Sequence, residues 1–200
     1  METHLDTGGL IVRSLVVGPL ENNVWVVASP ATGDAVIIDA ADESDRILEA
    51  VQPYRVQAIL TTHSHADHIG AAVAVGCALS IPFRIHPMDA PAAGIVPFDP
   101  IDHGEEMPVG DVMLRAVHTP GHTPGSTCFV TGGMVFSGDT LFPGGPGATA
   151  DPLKFEEIMI SLERHLFSLP DETLVLPGHG ASTTIGKERP AVAEWWRRGY

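Results

Sequence analysis

The sequence predicts an α/β sandwich, in which β-sheets pack inside and helices cover them. Three observations support this fold class. Glycine and proline are frequent, with 21 and 17 copies in 200 residues, so many tight turns separate the regular elements. Short runs of β-branched residues alternate with stretches of helical periodicity. The order of several strands followed by strand and helix alternation occurs twice, once in each half of the chain.

The first half begins with three predicted strands and also contains two predicted helices. The asparagines at 22–23 are expected to form the turn between the first two strands. The first helix is predicted behind Asp42 as its N-cap, because apolar residues recur on one face. The second helix is rich in alanine and glycine. The predicted strands are 10–17, 24–28, 35–39, 56–61 and 82–86, and the predicted helices are 43–51 and 68–79.

The second half repeats this order. Its first helix carries an apolar stripe and follows a loop rich in glycine and proline at 143–147. The last helix contains Trp195 and Trp196, which are expected to pack on their own domain, with an oligomer contact as the alternative. The predicted strands are 112–117, 127–130, 134–136 and 173–176, and the predicted helices are 153–166 and 187–198.

Charge and composition exclude several classes of function. Eleven Lys and Arg against 25 Asp and Glu give a net charge of −14, which disfavours nucleic acids and anionic membranes as partners. No apolar run approaches the roughly 18 residues that span a bilayer. The two cysteines, Cys77 and Cys128, form no CxxC pair. With no leader pattern at the N-terminus, we expect a cytoplasmic protein with a small-molecule substrate; its oligomeric state stays open.

The densest feature is the segment 62–70, THSHADHIG, which places three imidazoles and one carboxylate within six positions. It begins where the fourth predicted strand ends. In extended chain, His63 and His65 project to the same side, while Asp67 and His68 fall at the mouth of the next helix. Since histidine and carboxylate suit divalent metals, and unpartnered buried polar groups are costly, the spacing predicts ligands for two adjacent ions.

Three further positions place a ligand-type side chain against glycine at the end of a predicted strand. They are Gly121-His122, Gly138-Asp139 and Gly178-His179-Gly180. Glycine at such a place suggests that the backbone approaches another group closely. Each pair alone is more often a simple turn. Together, downstream of the histidine cluster, they favour a shared metal site.

Four segments resemble the metal motifs of the metallo-β-lactamase-fold hydrolases, in their glyoxalase II-like (hydroxyacylglutathione hydrolase-like) branch. They are 62–68 (THSHADH), 119–126 (TPGHTPGS), 137–142 (SGDTLF) and 177–180 (PGHG). The resemblance implies a four-layer αβ/βα sandwich with the metal site at one edge. It also implies a single domain over 1–200, with two similar halves of about 1–110 and 111–200.

The resemblance implies two divalent metal ions, with zinc as the expected metal and iron or manganese as alternatives. One ion takes three imidazoles, the other takes a carboxylate and two imidazoles, and a second carboxylate bridges them. In this sequence these ligands are His63, His65 and His122, then Asp67, His68 and His179, and finally the bridging Asp139.

The implied function is hydrolysis of a small-molecule thioester or ester, with a metal-bridging hydroxide as nucleophile. A bound divalent ion lowers the pKa of water to about 7, which makes such a nucleophile available at neutral pH. Asp67 is assigned a catalytic role as well, because it can orient the nucleophile or accept its proton.

Three alternatives remain open. A persulfide dioxygenase of this fold would hold one iron with His63, His122 and Asp139, but the arginine of its Gly-Arg-Thr-Asp stretch is absent from 147–151. A lactonase would have tyrosine at the position of Phe142. The third alternative is a metal-binding module without catalysis.

Five histidines fall outside this ligand set. His118 is expected to have a structural role or to support a ligand. The others match no motif and are interpreted as ordinary surface or hydrogen-bonded histidines: His4, His86, His103 and His165.

Overall fold

A computed structural model describes residues 4–7 and 9–199. Its first sheet has seven strands that lie side by side in chain order. The first four strands pair antiparallel and the last four pair parallel. The strands are β1 His4–Thr7, β2 Leu10–Val17, β3 Asn22–Ala28, β4 Asp34–Ile38, β5 Arg55–Leu60, β6 Phe83–Ile85 and β7 Asp99–Pro100.

The remaining strands form a six-stranded sheet and a short two-stranded ribbon. They are β8 Glu106–Val109, β9 Val112–His118, β10 Thr127–Thr131, β11 Met134–Gly138, β12 Leu141–Phe142, β13 Gly145–Pro146, β14 Leu174–Pro177 and β15 Thr183–Thr184. The six-stranded sheet, which is the second sheet, has the order β15-β14-β11-β10-β9-β8, and β12 pairs with β13 in the ribbon. Only β11 and β14 pair parallel among the described strands of this sheet.

The helices lie in the connections between strands. They are α1 Ser44–Val51, α2 Ala66–Ile69, α3 Ala72–Leu79, α4 Ala90–Ala93, α5 Pro152–Ser161, α6 Ile185–Glu188 and α7 Val192–Arg198. A π-helical turn, Leu162–Leu166, continues α5, and a 3₁₀ turn, Arg189–Ala191, joins α6 to α7. No helix in the described part of the chain is long and apolar enough to cross a membrane.

Three apolar clusters define four layers. The central cluster joins side chains from both sheets, such as Trp25 and Ile38 from the first and Phe129 and Phe136 from the second. A second cluster packs the outer face of the first sheet against α1 and α3. The third packs the outer face of the second sheet against α5 and Trp195 of α7. The predicted α/β sandwich is therefore confirmed. The assignment of residues 1–200 to one domain stays a prediction.

The expected turn at 22–23 is wrong. The chain turns earlier, between Gly18 and Glu21, which both have positive φ and are joined by a backbone hydrogen bond of 3.2 Å. Both asparagines are buried at the start of β3. The predicted N-cap is wrong as well, because Glu43 occupies that position and Asp42 instead accepts the Glu43 N–H.

Each of the other predicted helices is interrupted or ends differently. The segment 68–79 is broken because the Ala71 N–H donates to the carbonyls of Ala40 and Ala41, outside the helix. The segment 187–198 starts earlier, at Ile185, and is interrupted where Pro190 lacks an N–H. The helix predicted over 153–166 buries its apolar stripe as expected, with its last turn π-helical. Trp195 also packs on its own chain.

The central apolar cluster between the two sheets leads to a prediction about stability. Phe136 is fully buried, and its ring meets that of Trp25 edge-on at 5.8 Å. Phe136→Ala is expected to lower the free energy of unfolding by about 3–5 kcal/mol, because the cavity opens between two sheets that cannot both collapse onto it. Urea denaturation checks this. The exposed Val73→Ala on α3 serves as control and should change stability by less than about 0.5 kcal/mol. Equal losses would contradict the layer assignment.

Candidate metal centre

The seven predicted ligands meet at one place, although they come from four separate segments. Four of them follow β5, one follows β9, one follows β11 and one follows β14. These strand ends belong to both sheets, so the site lies where the two sheets open at a shared edge. The ligands in chain order are His63, His65, Asp67, His68, His122, Asp139 and His179.

Three imidazoles form the first group of potential ligands. His65 Nδ1 lies 3.1 Å from His63 Nε2 and 3.0 Å from His122 Nε2. His63 is buried, His122 is partly exposed and His65 is exposed. Three ring nitrogens that converge in this way match the ligand set of a divalent ion.

A carboxylate and two imidazoles form the second group. His68 Nε2 lies 3.2 Å from His179 Nε2. Asp67 Oδ2 lies 3.6 Å from His68 Nε2 and 3.3 Å from His179 Nε2. The mixed nitrogen and oxygen donors again suit a divalent metal.

Asp139 lies between the two groups. Its Oδ1 is 3.4 Å from His68 Nε2, in the second group, and its Oδ2 is 3.6 Å from His122 Nε2, in the first. Oδ1 is buried without a hydrogen-bond partner. A buried carboxylate oxygen without a partner is costly, and a metal ion in this position would satisfy it.

Four of the five rings are oriented in the same way. Each has Nδ1 against an oxygen outside the cluster, which fixes Nδ1 as the protonated nitrogen and leaves Nε2 free to face the centre. The four contacts are His63 to Thr62 Oγ1 at 3.0 Å, His68 to Asp39 Oδ2 at 2.9 Å, His122 to the Ala148 carbonyl at 2.6 Å and His179 to the Leu20 carbonyl at 2.9 Å.

Asp39 at the end of β4 supports two of these rings. Its buried carboxylate accepts the Thr62 N–H at 2.8 Å and the Thr62 hydroxyl at 2.7 Å, and it faces His68 Nδ1. Because the Thr62 hydroxyl donates to Asp39, its lone pair is left to accept from His63 Nδ1. The sequence analysis missed this role, since an aspartate that ends a strand carries no motif.

Asn22 and Asn23 were likewise missed. Asn22 Nδ2 donates to Asp67 Oδ2 at 2.8 Å. Asn23 Nδ2 donates to the carbonyls of Pro177 and Gly180, on either side of His179. The only sequence signal is a pair of amides directly before an apolar run, and it was interpreted as a turn.

Asp89 ties together two of the ligand-bearing loops. One carboxylate oxygen accepts the Ser64 N–H at 2.9 Å and the Thr123 hydroxyl at 2.7 Å, and the other accepts the Gly125 N–H at 2.6 Å. Ser64 lies between two ligands and Thr123 follows His122. The relative position of the two loops therefore depends on one buried acid.

Glycine is required where the last ligand loop passes the cluster. A Cβ on Gly178 would lie 2.5 Å from Asp139 Oδ1 and 2.5 Å from His68 Cε1. Gly138 has φ of 47°, and a Cβ there would lie 2.4 Å from Thr62 Oγ1. The close approach that the sequence predicted at these glycines is therefore present.

Electrostatics prepares the groups for a cation. Burial, followed by the neighbouring rings of His68 and His122, lowers the pKa of His63 well below 6.5, so that it is neutral. Burial alone would raise the pKa of Asp139, but the nearby rings of His68, His122 and His179 lower it overall. Neutral imidazoles and ionised carboxylates are the forms that bind metal, so His68, whose pKa is raised to about 10 in the metal-free protein, must release its proton on binding.

The described residues therefore fit one or two divalent ions. The potential ligand atoms form three overlapping groups, and within each group all atoms lie within 4.8 Å of one another. The profile described as "Metallo-beta-lactamase superfamily" matches residues 17–179. The chain belongs to the metallo-β-lactamase superfamily.

Similarity to members of this superfamily extends over most of the chain. A "Hydroxyacylglutathione hydrolase GloC" from Haemophilus influenzae is 30% identical over 78% of this chain and 84% of its own length. A crystal structure of TTHA1623 "in a di-iron-bound form" is 36% identical, covers 88% of this chain and 96% of its own, and has a TM-score of 0.77. The crystal structure of ETHE1 from Myxococcus xanthus is 33% identical, covers 94% of this chain and 87% of its own, and has a TM-score of 0.83.

These similarities make the chain a metallo-hydrolase of the metallo-β-lactamase superfamily, with a group of histidines and aspartates able to bind metal. The assignment of each ligand to a particular ion stays a prediction.

The pairing of His68 with Asp39 predicts a pH dependence for the metal-free protein. Burial lowers the pKa of His68, but Asp39 and Asp139 outweigh it and raise the pKa from 6.5 to about 10. A raised pKa adds stability that is fully present below 6.5 and is lost as the pH rises toward 10. Urea denaturation should therefore show a falling free energy of unfolding across this range.

Asp39→Asn is expected to weaken that dependence, since it removes the charge that holds the proton on His68. Asp45→Asn, at an exposed position of α1, is the matched control and should retain it. An identical slope in both variants would contradict the role of Asp39.

Proposed function

We propose that the chain is a glyoxalase II-like dinuclear hydrolase of a small-molecule thioester or ester. The observation that carries this proposal is the position of Asp139, whose two carboxylate oxygens face the two ligand groups. A single-ion enzyme has no need for the second group. The similarity to a hydroxyacylglutathione hydrolase supports the thioester class.

The residues that would hold two ions are the seven named above, and we propose zinc, with iron or manganese as alternatives. When bound, such ions supply Lewis acidity and lower the pKa of water to about 7. The di-iron form of the similar TTHA1623 supports a two-ion site and supports iron as an alternative to zinc.

Asp67 is the proposed proton acceptor. Burial alone would raise its pKa, but the Asn22 amide and the charges of His68 and His179 lower it, so the carboxylate is ionised at neutral pH. The side chain remains 28% exposed, which leaves it accessible from outside. The Asn22 amide holds Oδ2, which lies 3.3 Å from Nε2 of the partly exposed His179.

The substrate would approach from the exposed side of the cluster. His63 and His68 form the buried floor, whereas His65 is exposed and His122 and His179 are partly exposed. A carbonyl group entering from solvent meets these outer rings first. The open rim is suited to a small molecule that presents one reactive bond.

A neighbouring cavity of about 320 Å³ supports a substrate with an anionic group. It is lined by residues 146–149, Phe155 and Arg198, and the Ala148 carbonyl in this stretch contacts His122. Among the side chains of residues 9–199, no acidic group pairs with Arg198. Its guanidinium is therefore available for a carboxylate or a similar anion.

A persulfide dioxygenase is the second candidate, because two histidines and one carboxylate of the cluster could hold a single iron. It would use His63, His122 and Asp139 around one iron. The complete second group, with Asp67 tied to Asn22, supports the hydrolase instead. A lactonase remains a weaker alternative because Phe142 stands near His179, with ring centres 6.5 Å apart, and offers no hydroxyl.

We further propose a cytoplasmic location. Cys77 is exposed and Cys128 is buried, and both are free thiols, as expected in a reducing compartment.

Elemental analysis combined with a substrate panel tests the proposed function. The panel contains small-molecule thioesters, lactones and glutathione persulfide, the last followed by oxygen uptake. Two metals per chain with thioester cleavage are expected. One iron per chain with oxygen consumption would overturn the proposal in favour of the dioxygenase.

Asp139→Asn tests the bridging position. Its loss of charge should reduce bound metal below two per chain and lower hydrolysis by at least about 100-fold, because both ligand groups lose a shared anion. Metal content and turnover are measured on the same preparation, with Asp45→Asn as control. Unchanged occupancy and rate would contradict the assignment.

Arg198→Ala tests the anionic subsite. For a thioester that carries a carboxylate, KM is expected to rise about tenfold with little change in kcat, because a charge-assisted contact to the non-reacting part is lost. A matched neutral thioester should be unaffected. Arg197→Ala, also exposed on α7, is the control. Equal effects of both variants on both substrates would exclude this role for Arg198.

A further inference from the structure

Four histidines outside the metal centre lie together on the surface. The rings of His86 and His118 stack with centres 4.0 Å apart and planes 10° apart. The His118 N–H donates to His103 Nδ1 at 3.1 Å, and the rings of His103 and His165 lie 5.1 Å apart. No motif predicted this cluster, because its members come from four separate parts of the chain.

The cluster borders a cavity of about 340 Å³, which is at the lower end of the size range of small-molecule sites, about 300–1,000 Å³. His103, His118, His165, Arg164 and Ser161 line it. This cavity and its lining side chains are separate from the seven metal-ligand positions, so its role does not depend on the proposed function.

The charge in this cavity is opposite to that of the whole chain, whose net charge is −14. Arg164 has no ion-pair partner in the described part of the chain. The acid in the lining, Glu157, is paired with Lys154 at 2.6 Å. Burial lowers the pKa of His165, and the neighbouring His103, Arg164 and Arg115 lower it further. The lowered pKa leaves His165 neutral near pH 7, so the positive charge in the lining comes from Arg164, and a bound anion would raise that pKa again.

Hydrogen-bond donors are available in the lining. His103 Nδ1 accepts a backbone N–H, so the neutral ring carries its proton on Nε2. The Arg164 guanidinium supplies further donors in a planar arrangement that matches oxyanions. Ser161 donates to the Pro120 carbonyl at 2.8 Å, and this fixes the cavity wall.

A metal ion fits these residues less well. In the described chain, the groups of three potential ligand atoms that converge within 4.8 Å all belong to the metal centre. In the surface cluster of four histidines, His118 Nε2 contacts the Pro124 carbonyl at 2.9 Å, and His103 Nδ1 accepts a backbone N–H. Arg164 would also repel a cation.

We propose that this cavity binds a phosphate group, either as inorganic phosphate or as the phosphate monoester of a small metabolite. Arg164 supplies the positive charge, the imidazoles supply further N–H donors, and the cavity volume leaves room for a small organic part beside the phosphate.

Nitrogen-15 spectra of the imidazoles in the metal-loaded protein test the proposal. Inorganic phosphate and glycerol phosphate are titrated separately. Saturable shifts at His103 and His165 are expected, and tighter binding of one probe identifies the source of the phosphate. Shifts confined to the five histidines of the metal centre would overturn the proposal, as would shifts that rise linearly without saturation.

Arg164→Gln and His103→Gln are expected to weaken phosphate binding about tenfold each, because each removes a donor to a charged ligand. Both positions are exposed, so the fold should tolerate either change. Arg197→Gln, an exposed arginine on α7, is the control and should bind phosphate as the unmodified protein does. Unchanged affinity in both test variants, or a response of this cluster to Zn²⁺ but not to phosphate, would refute the site.

Discussion

The metal centre depends on one buried carboxylate, that of Asp39. Asp39 follows directly after β4, is almost wholly excluded from water, and contacts both Thr62 and His68. Through Thr62 it also fixes the ring of His63. A buried charge is tolerated when it is paired and hydrogen-bonded, and here Thr62 and His68 of the ligand loop make three contacts to it. The strand end, the ligand loop and two rings are therefore positioned as a unit.

Hydrogen bonds also connect the first sheet to the second sheet at the metal centre. Trp25 in β3 donates to the Pro177 carbonyl at 3.1 Å, and Asn23 contacts the same carbonyl. Asp89 links the loop after β5 to the loop after β9. The two halves thus meet through hydrogen bonds at the edge that holds the site, while apolar packing joins them in the centre. A site divided between two sheets needs both kinds of contact to hold ligand atoms near their working distances.

Histidine has two separate uses in this acidic chain. In the metal centre, burial and mutual proximity keep His63 and His65 neutral, and oxygen atoms outside the cluster orient most of the rings. In the surface cluster of four histidines, the rings of His103, His118 and His165 line a cavity together with Arg164. The metal centre is arranged to bind cations, whereas the second cavity presents a free guanidinium, in a chain whose net charge is −14. Charge summed over the sequence therefore says little about what a particular cavity attracts.

The sequence by itself determined the sandwich and the long strands, because periodicity and turn residues are local signals. The seven candidate ligands came from the HxHxDH spacing, from three glycine-flanked positions and from the resemblance to a known family. The sequence analysis misplaced Asn22 and Asn23 and missed Asp39 and Asp89, and it found no link among His86, His103, His118 and His165. Several short strands, such as β7 and β8, also escaped it. Only the tertiary structure decided these, because hydrogen bonds between residues 23 to 159 positions apart leave no periodic trace in the chain.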